Sequence, residues 1–303
     1  MTGIGHTSQV SFAESIYPEP TWGDRAFAEF AASPAAVDVA SVQVVASPPA
    51  VAPLERTYLG AALPPRAAAM VLVGFATTLA LSALILAVAR SWTASHPGLE
   101  WLQVLTTLGA VVAQYGVMIG LCLLVSRCWG TASLRADLGM SWRARDLPDG
   151  LVGWLAGMGL VAVLLSALRA TGIPFVSNNP LAGGSRGGEL GLPQGAAVAL
   201  VGVIMVVVAP VLEELLFRGV LLRALAGWWP TPWALLAQAV AFGCFHVSAG
   251  RGWGNVGLVV VLSGVGLMLG VLTHRRAGRL GSAMVAHALH NAVAFSVGVA
   301  ALT

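Results

Sequence analysis

Charge in this chain is confined to a few posts, and the runs between them set what it can fold into. Uncharged stretches lie between Arg66 and Arg90, Glu100 and Arg127, Asp149 and Arg169, Glu189 and Glu213, Arg223 and Arg251, and Arg251 and Arg275, with a last one after Arg279. Each is about as long as the ~20 residues a helix needs to cross a bilayer. Hydrophobic residues make up 57% of the 303 positions and charged residues 10%, against about 25% charged in a soluble domain. Such a chain cannot cover a water-facing surface. Open strands cannot span lipid because their backbone groups go unpaired. The expected fold is therefore all-α: a polytopic membrane helix bundle of about seven transmembrane helices.

Residues 1–65 differ from the rest. They hold six acids (Glu14, Glu19, Asp24, Glu29, Asp38, Glu55), two arginines and a Pro/Ala/Val-rich stretch, with no sustained period. They read as a disordered cytoplasmic tail rather than a signal peptide, and residues 66–303 as the transmembrane domain. All sixteen basic residues are arginine, and they act as topology signals rather than as a nucleic-acid footprint. With the N-terminus inside, eleven arginines fall on inner segments and four on outer ones (Arg90, Arg169, Arg186, Arg251), with Arg218 left inside a span. That asymmetry predicts an N-in, C-out chain. Cys122, Cys128 and Cys244 lack Cys-x-x-Cys spacing and are expected to pack structurally. Gly116-x-x-x-Gly120, Gly153-x-x-x-Gly157 and Gly266-x-x-x-Gly270 are candidate close helix contacts.

An ionisable residue inside a span is a functional candidate by default. After Asp149 the chain has three acids, Glu189, Glu213 and Glu214, and four of its six histidines follow residue 240: His246, His274, His287 and His290. A turn near Gly227–Pro230 makes the fourth and fifth spans an antiparallel hairpin. Glu213 is fourteen residues before Gly227 and His246 fourteen after Pro232, so the two come level. Glu213 is ten residues from Arg223, ~15 Å at 1.5 Å per residue. His287 is eight residues past Arg279, ~12 Å by the same rise. Asn291 shares the His287 face at i+4. Taken singly, each has a structural reading: Glu214 and Arg218 as an i, i+4 pair, each His as a helix–helix hydrogen bond, Asn291 as an interhelical amide, and His274 as an interfacial residue. His290 is left open. Together, several costly residues at one depth point to a site.

These residues resemble a known family. Glu213-Glu214-Leu-Leu-Phe-Arg218 is similar to the Glu-Glu-x-x-x-Arg motif of the CPBP intramembrane proteases, a group of CAAX prenyl endopeptidases and bacteriocin-processing, Abi-like enzymes. Phe242-Gly-Cys-Phe-His246 is similar to their Phe-x-x-x-His motif, and His287-Ala-Leu-His-Asn291 to their His-x-x-x-Asn motif. The resemblance covers about residues 130–303, with the motifs inside 196–303.

It implies an intramembrane endopeptidase, a hydrolase acting on a membrane-associated polypeptide within the lipid bilayer. Separately, the absence of lysine and the abundance of Ala, Gly, Val and Arg suggest a GC-rich bacterial genome and so a bacterial plasma membrane, and the charge points to no nucleic-acid partner. Carried over by position, Glu213 is the general base on a water, His246 helps hold that water, His287 and Asn291 stabilise the oxyanion, and Glu214 and Arg218 support the site. A zinc ion held by Glu213, His246 and His287 is the alternative. However, His-Glu-x-x-His is absent, and Glu214 is spaced to pair with Arg218 rather than to act as the base, so no cofactor is required in the preferred reading. Two other classes stay in view. One is a non-catalytic immunity or scaffold protein of the same fold. The other is a carrier using Glu213 as a relay, for which the expected second related half is missing.

The arginine asymmetry makes a labelling prediction. A cysteine placed at Ser141 should react with an impermeant thiol reagent only after the membrane is opened. One placed at Ser185 should react from outside intact cells. The reverse pattern would overturn the N-in orientation.

Overall fold

The computed structural model describes residues 63–96, 98, 100–179 and 194–301. The expected tail lies outside these residues up to position 62, and Leu63 at its end is already buried. The expected outer loop 170–195 is extended over 173–179, and its remainder to 193 lies outside the described residues.

Among the described residues there are eight helices and no strands. They are α1 (Pro65–Ser95), α2 (Glu100–Trp129), the short α3 (Leu134–Leu138), α4 (Asp146–Thr171), the long α5 over 194–226, α6 (Thr231–Cys244), α7 (Gly254–Arg275) and α8 (Gly281–Ala300). All but α3 and α6 are long and apolar enough to cross a membrane, and the chain is a multi-pass membrane bundle. The expected count of seven is corrected at α6. Its 14 residues reach ~21 Å, short of the ~30 Å hydrocarbon core. A bend and a 3₁₀ turn (Ala249–Arg251) carry the chain on to the start of α7, so the strand of chain still reverses there.

The helix ends gather into two groups. At one end Arg223 Nη2 donates to the Gly278 carbonyl at 2.7 Å, the Leu280 N–H donates to the Gly139 carbonyl at 3.0 Å, and Arg276 pairs with Asp149. Arg223 is buried, whereas the Trp228–Trp229 pair beside it is exposed. Asp146 is also buried there. It accepts from the Arg143 N–H at 2.7 Å and from Ser282 at 3.0 Å, and meets Arg279 at 3.2 Å. At the other end the Val176 N–H donates to the Gly254 carbonyl at 3.4 Å, and Asn179 donates to the Ala294 carbonyl at 2.6 Å.

Small residues set the close approaches. A Cβ at Gly266 would sit 3.1 Å from the Ala239 Cα, so α6 and α7 cross with their backbones nearly touching. Gly153 and Gly157 face Leu272 and Met268 of α7 in the same way, whereas Gly116 and Gly120 face open space. Gly116-x-x-x-Gly120 is therefore not a helix contact among the described residues. Cys122 is buried as expected, but Cys128 and Cys244 are exposed, on outward faces of α2 and α6.

The turn between α2 and α3 is organised by one carboxylate. Asp137 is buried and accepts from Ser126, from the Thr131 N–H and hydroxyl, each at 2.9 Å, and from the Ser133 N–H at 3.1 Å. Burial alone raises its carboxyl, but these donors outweigh burial and hold it below the ordinary carboxylate range. The ionised form is therefore favoured more in the folded state than in the unfolded state. The contribution is fully present above the unfolded value of about 3.9 and is lost as pH falls through the depressed folded value. Asp137→Asn should lower stability by about 1–3 kcal/mol at pH 7. The gap between variant and wild type should close below about pH 4. Thermal unfolding in detergent from pH 7 to pH 3 measures it, and a gap that widens in acid would contradict this account.

Candidate active site

The site begins with the shape of α5. This helix is regular over Gln194–Val203, opens into a π-turn at Ile204–Val208, tightens over Ala209–Glu214, and opens again at Leu215–Leu221. Pro210 lies just after the first π-turn. In an i to i+5 ladder the Met205 carbonyl would accept from residue 210, and proline has no N–H to give. Asn291 supplies the missing donor, its Nδ2 lying 2.8 Å from the Met205 carbonyl. π-turns of this kind recur where a side chain must be re-aimed. Here they bracket the segment that carries Glu213 and Glu214.

The two glutamates, adjacent in sequence, face different partners. Glu214 is fully buried. Its Oε1 accepts from Arg218 Nη1 at 2.8 Å and lies 2.9 Å from His287 Nδ1. Arg218, also fully buried, donates through Nη2 to the Gly266 carbonyl at 3.0 Å, and its guanidinium lies 4.6 Å from the Phe242 ring centre. Gln238 Nε2 reaches the same carbonyl at 2.9 Å. The pair expected from the i, i+4 spacing is present, and His287 and Gly266 add contacts from two further helices.

Glu213 remains partly open, with 16% of its side chain exposed against 0% for Glu214. Its Oε2 is 3.7 Å from His287 Nε2 and 3.9 Å from His246 Nε2. Each histidine is fixed through its other nitrogen. His246 Nδ1 lies 2.7 Å from the Phe242 carbonyl, which only accepts, so that nitrogen carries the proton. His287 Nδ1 faces the Glu214 carboxylate and carries its proton for the same reason. In neutral rings both Nε2 atoms then present lone pairs toward an anionic oxygen. Three acceptors converge with no hydrogen among them, and Glu213 Oε2 is buried with no hydrogen-bond partner among the described residues. A water placed there would have acceptors for both its hydrogens.

The Phe242 ring walls this space. Its centre is 4.8 Å from that of His246, 5.6 Å from that of His287 and 5.1 Å from that of Phe217. Gly243 lets α6 press on α7, since a Cβ there would sit 2.6 Å from the Val259 carbonyl. Phe242 and His246 are carried inward by that contact.

The structure thus brings Glu213, Glu214 and Arg218 of α5, His246 of the turn after α6, and His287 of α8 together. Asn291 stands one turn beyond His287, with its amide engaged at Met205 rather than at either glutamate. His290 faces elsewhere: it lines a cavity of about 500 Å³ between α4 and α8, together with Ser177 and Asn179. Gln238 and the Gly266 carbonyl were missed by sequence reasoning. An amide in an otherwise uncharged span was the available signal for Gln238, whereas a backbone carbonyl leaves none.

The fit to a metal can be judged from the donors. Among the described residues no group of three or more His, Cys, Asp or Glu side chains is arranged to hold a metal ion. Ligands of a tetrahedral zinc with bonds of 2.0–2.1 Å lie ~3.3 Å apart, and the 3.7 and 3.9 Å gaps here are wider. As placed, Glu213, His246 and His287 are spaced more widely than a bound zinc would hold them.

Residues 195–293 match the family described as "Type II CAAX prenyl endopeptidase Rce1-like". No curated protein and no solved structure matches the chain.

The Pro210–Asn291 pairing is testable by a double-mutant cycle. Asn291→Ala leaves the Met205 carbonyl without its donor and should cost about 1–3 kcal/mol. Pro210→Ala restores a backbone N–H at the position that faces it. The double variant should therefore be more stable than Asn291→Ala alone, as read by thermal unfolding in detergent. Additive losses would show that the two residues do not share that carbonyl.

Proposed function

We propose, from the match of residues 195–293 to the Rce1-like family of type II CAAX prenyl endopeptidases, that this chain is an intramembrane endopeptidase using a glutamate-activated water. The observation that carries the mechanism is the convergence of Glu213 Oε2, His246 Nε2 and His287 Nε2 within 3.9 Å. A water held there donates one hydrogen to Glu213 and the other to a histidine. Its oxygen is left with a lone pair for a carbonyl carbon. Glu213 takes the water's proton as the new C–O bond forms, then passes it to the leaving nitrogen as the C–N bond breaks. Hydrolysis yields one carboxylate and one amine, and no other reactant is consumed.

The remaining groups act on charge. His287 is oriented by Glu214 through Nδ1, and once its Nε2 has taken a proton from solvent, that N–H is the donor offered to the tetrahedral oxyanion. Asn291 has one N–H committed to Met205, and its second is the one offered to the oxyanion. Arg218 pairs with Glu214 Oε1 and offsets its charge. The substrate is a membrane-associated polypeptide. The absence of lysine and the abundance of Ala, Gly, Val and Arg suit a GC-rich bacterial genome, and hence a bacterial plasma membrane.

Substitutions separate the two carboxylates. Glu213→Gln keeps the shape but cannot take a proton, so cleavage should fall by about 10²–10⁴-fold with folding unchanged. Glu214→Ala strands a buried cation, a loss of about 3–5 kcal/mol, and should lower the folded yield. Adding Arg218→Ala should recover part of that yield. Folded protein is measured by size-exclusion chromatography, and cleavage by comparing membrane-protein termini in cells carrying each variant. Activity should also survive exhaustive chelation. Full activity in Glu213→Gln would end the general-base role. A well-folded, inactive Glu214→Ala would exchange the roles of the two glutamates. Stoichiometric zinc lost and regained together with activity would make Glu213, His246 and His287 ligands.

A further inference from the structure

The two halves of α5 on either side of Glu213 differ. From Glu214 to Ala224 every residue is buried. That half is wrapped by α1, α2, α3 and α6. Its end is closed by Leu138 against Gly219 and by the bonds of Arg223 and Asp146 to the α7–α8 turn and the start of α8.

The other half is open. From 201 to 208 the residues are half-buried or exposed, with Val203 and Val207 among the exposed ones, and the principal neighbour there is α8. The α1–α2 hairpin does not cover it. Its buried stripe runs through Ala67, Ala68, Val71 and Phe75 on α1 and through Met118, Cys122, Val125 and Ser126 on α2. Beyond Phe75 on α1, and before Met118 on α2, the residues described for burial are half-buried or exposed apart from Ala89. A wedge therefore widens from the level of Glu213 toward that end. Glu213 and His246 keep side-chain exposures of 16% and 20%. The rim includes His246 itself, because Arg251 reaches the His246 carbonyl at 3.5 Å and the Ser177 carbonyl at 3.2 Å.

Charge tells the two ends apart. The closed end carries Arg66, Arg127, Arg135, Arg143, Arg145, Arg223, Arg275, Arg276 and Arg279, whereas the described residues of the open end carry Arg90, Arg169 and Arg251. Arginine accumulates on the cytoplasmic side of membrane proteins. We propose that the site admits its substrate from the arginine-poor, extracytoplasmic end, so that the polypeptide cleaved is one whose scissile segment approaches from outside the cytoplasm, not a cytoplasmic C-terminal tail. This rests on the protease reading for its substrate, whereas the path itself is a property of the fold.

Cysteine accessibility tests the path without requiring turnover. In a background with Cys122, Cys128 and Cys244 changed to Ala, and with Glu213→Gln also present, single changes of Ile204, Val206 and Val208 to Cys scan the open half. Leu216→Cys and Val220→Cys report on the closed half. Val247→Cys and Ala144→Cys mark the two ends. An impermeant thiol reagent is applied to right-side-out and to inverted vesicles. At least one open-half position should label from the side that labels Val247→Cys, and the closed-half positions from neither side. Labelling of the open half from the Ala144→Cys side, or no labelling of it at all, overturns the path. Val247→Cys should label in intact cells; labelling only after lysis overturns the extracytoplasmic assignment. With Glu213 restored, modification of the labelled open-half cysteine should slow cleavage at least tenfold, and unchanged cleavage would overturn the path as the substrate's route. Cleavage sites lost in Glu213→Gln cells should lie in extracytoplasmic segments, and sites in cytoplasmic tails would refute the substrate class. Full cleavage in Glu213→Gln would instead remove the protease reading while the labelling result stood.

Discussion

One buried ion pair organises this molecule. Glu214 and Arg218 are both fully shielded and meet at 2.8 Å. Each also holds a partner from another helix: Glu214 takes His287 of α8, and Arg218 takes the Gly266 carbonyl of α7. A buried charge pair is weak evidence of net stability, since desolvation offsets much of the attraction. Its value here is positional. Three helices must stand at fixed register for all its bonds to close, and that register aims His287 Nε2 at Glu213.

The adjacent glutamates show how one backbone gives two carboxylates different work. Successive helical positions are about 100° apart, so Glu214 turns into the bundle and Glu213 toward the open wedge. Glu214 Oε1 takes both Arg218 and His287, while its Oε2 has no hydrogen-bond partner among the described residues. Glu213 faces lone pairs and stays partly exposed. Desolvation on one side and openness on the other follow from where α1 and α2 stop covering α5. Fold and chemistry are thus set by the same packing boundary.

Much of this was legible in the chain, and the reasons are specific. The uncharged runs gave the spans because a membrane leaves so few alternatives to a helix, and the fence-post charges marked their ends. Glu213, His246 and His287 came level on paper because rise per residue is fixed and the hairpin turn at Gly227–Pro230 was visible. The length of α6 was not legible, since an uncharged run does not say where its helix bends, and the bend falls at Phe245–His246. The bond from His287 to Glu214 was hidden because it depends on the rotation of α8 against α5. Asn291 at Met205 was hidden for another reason: it answers a backbone vacancy created by Pro210 within a π-turn. Periodicity counted at 3.6 residues per turn misses such a turn. Gln238, a polar residue in an apolar run, was passed over, and its target is a carbonyl, on which sequence is silent.

The central claim is that Glu213 activates a water rather than attacking the peptide itself. A single turnover in ¹⁸O-labelled water, with enzyme in excess over substrate, separates the two. The account predicts ¹⁸O in the new carboxylate of the product and none in Glu213. A first-turnover product carrying unlabelled oxygen, with ¹⁸O found afterwards in the Glu213 side chain, would show a covalent acyl intermediate and contradict it.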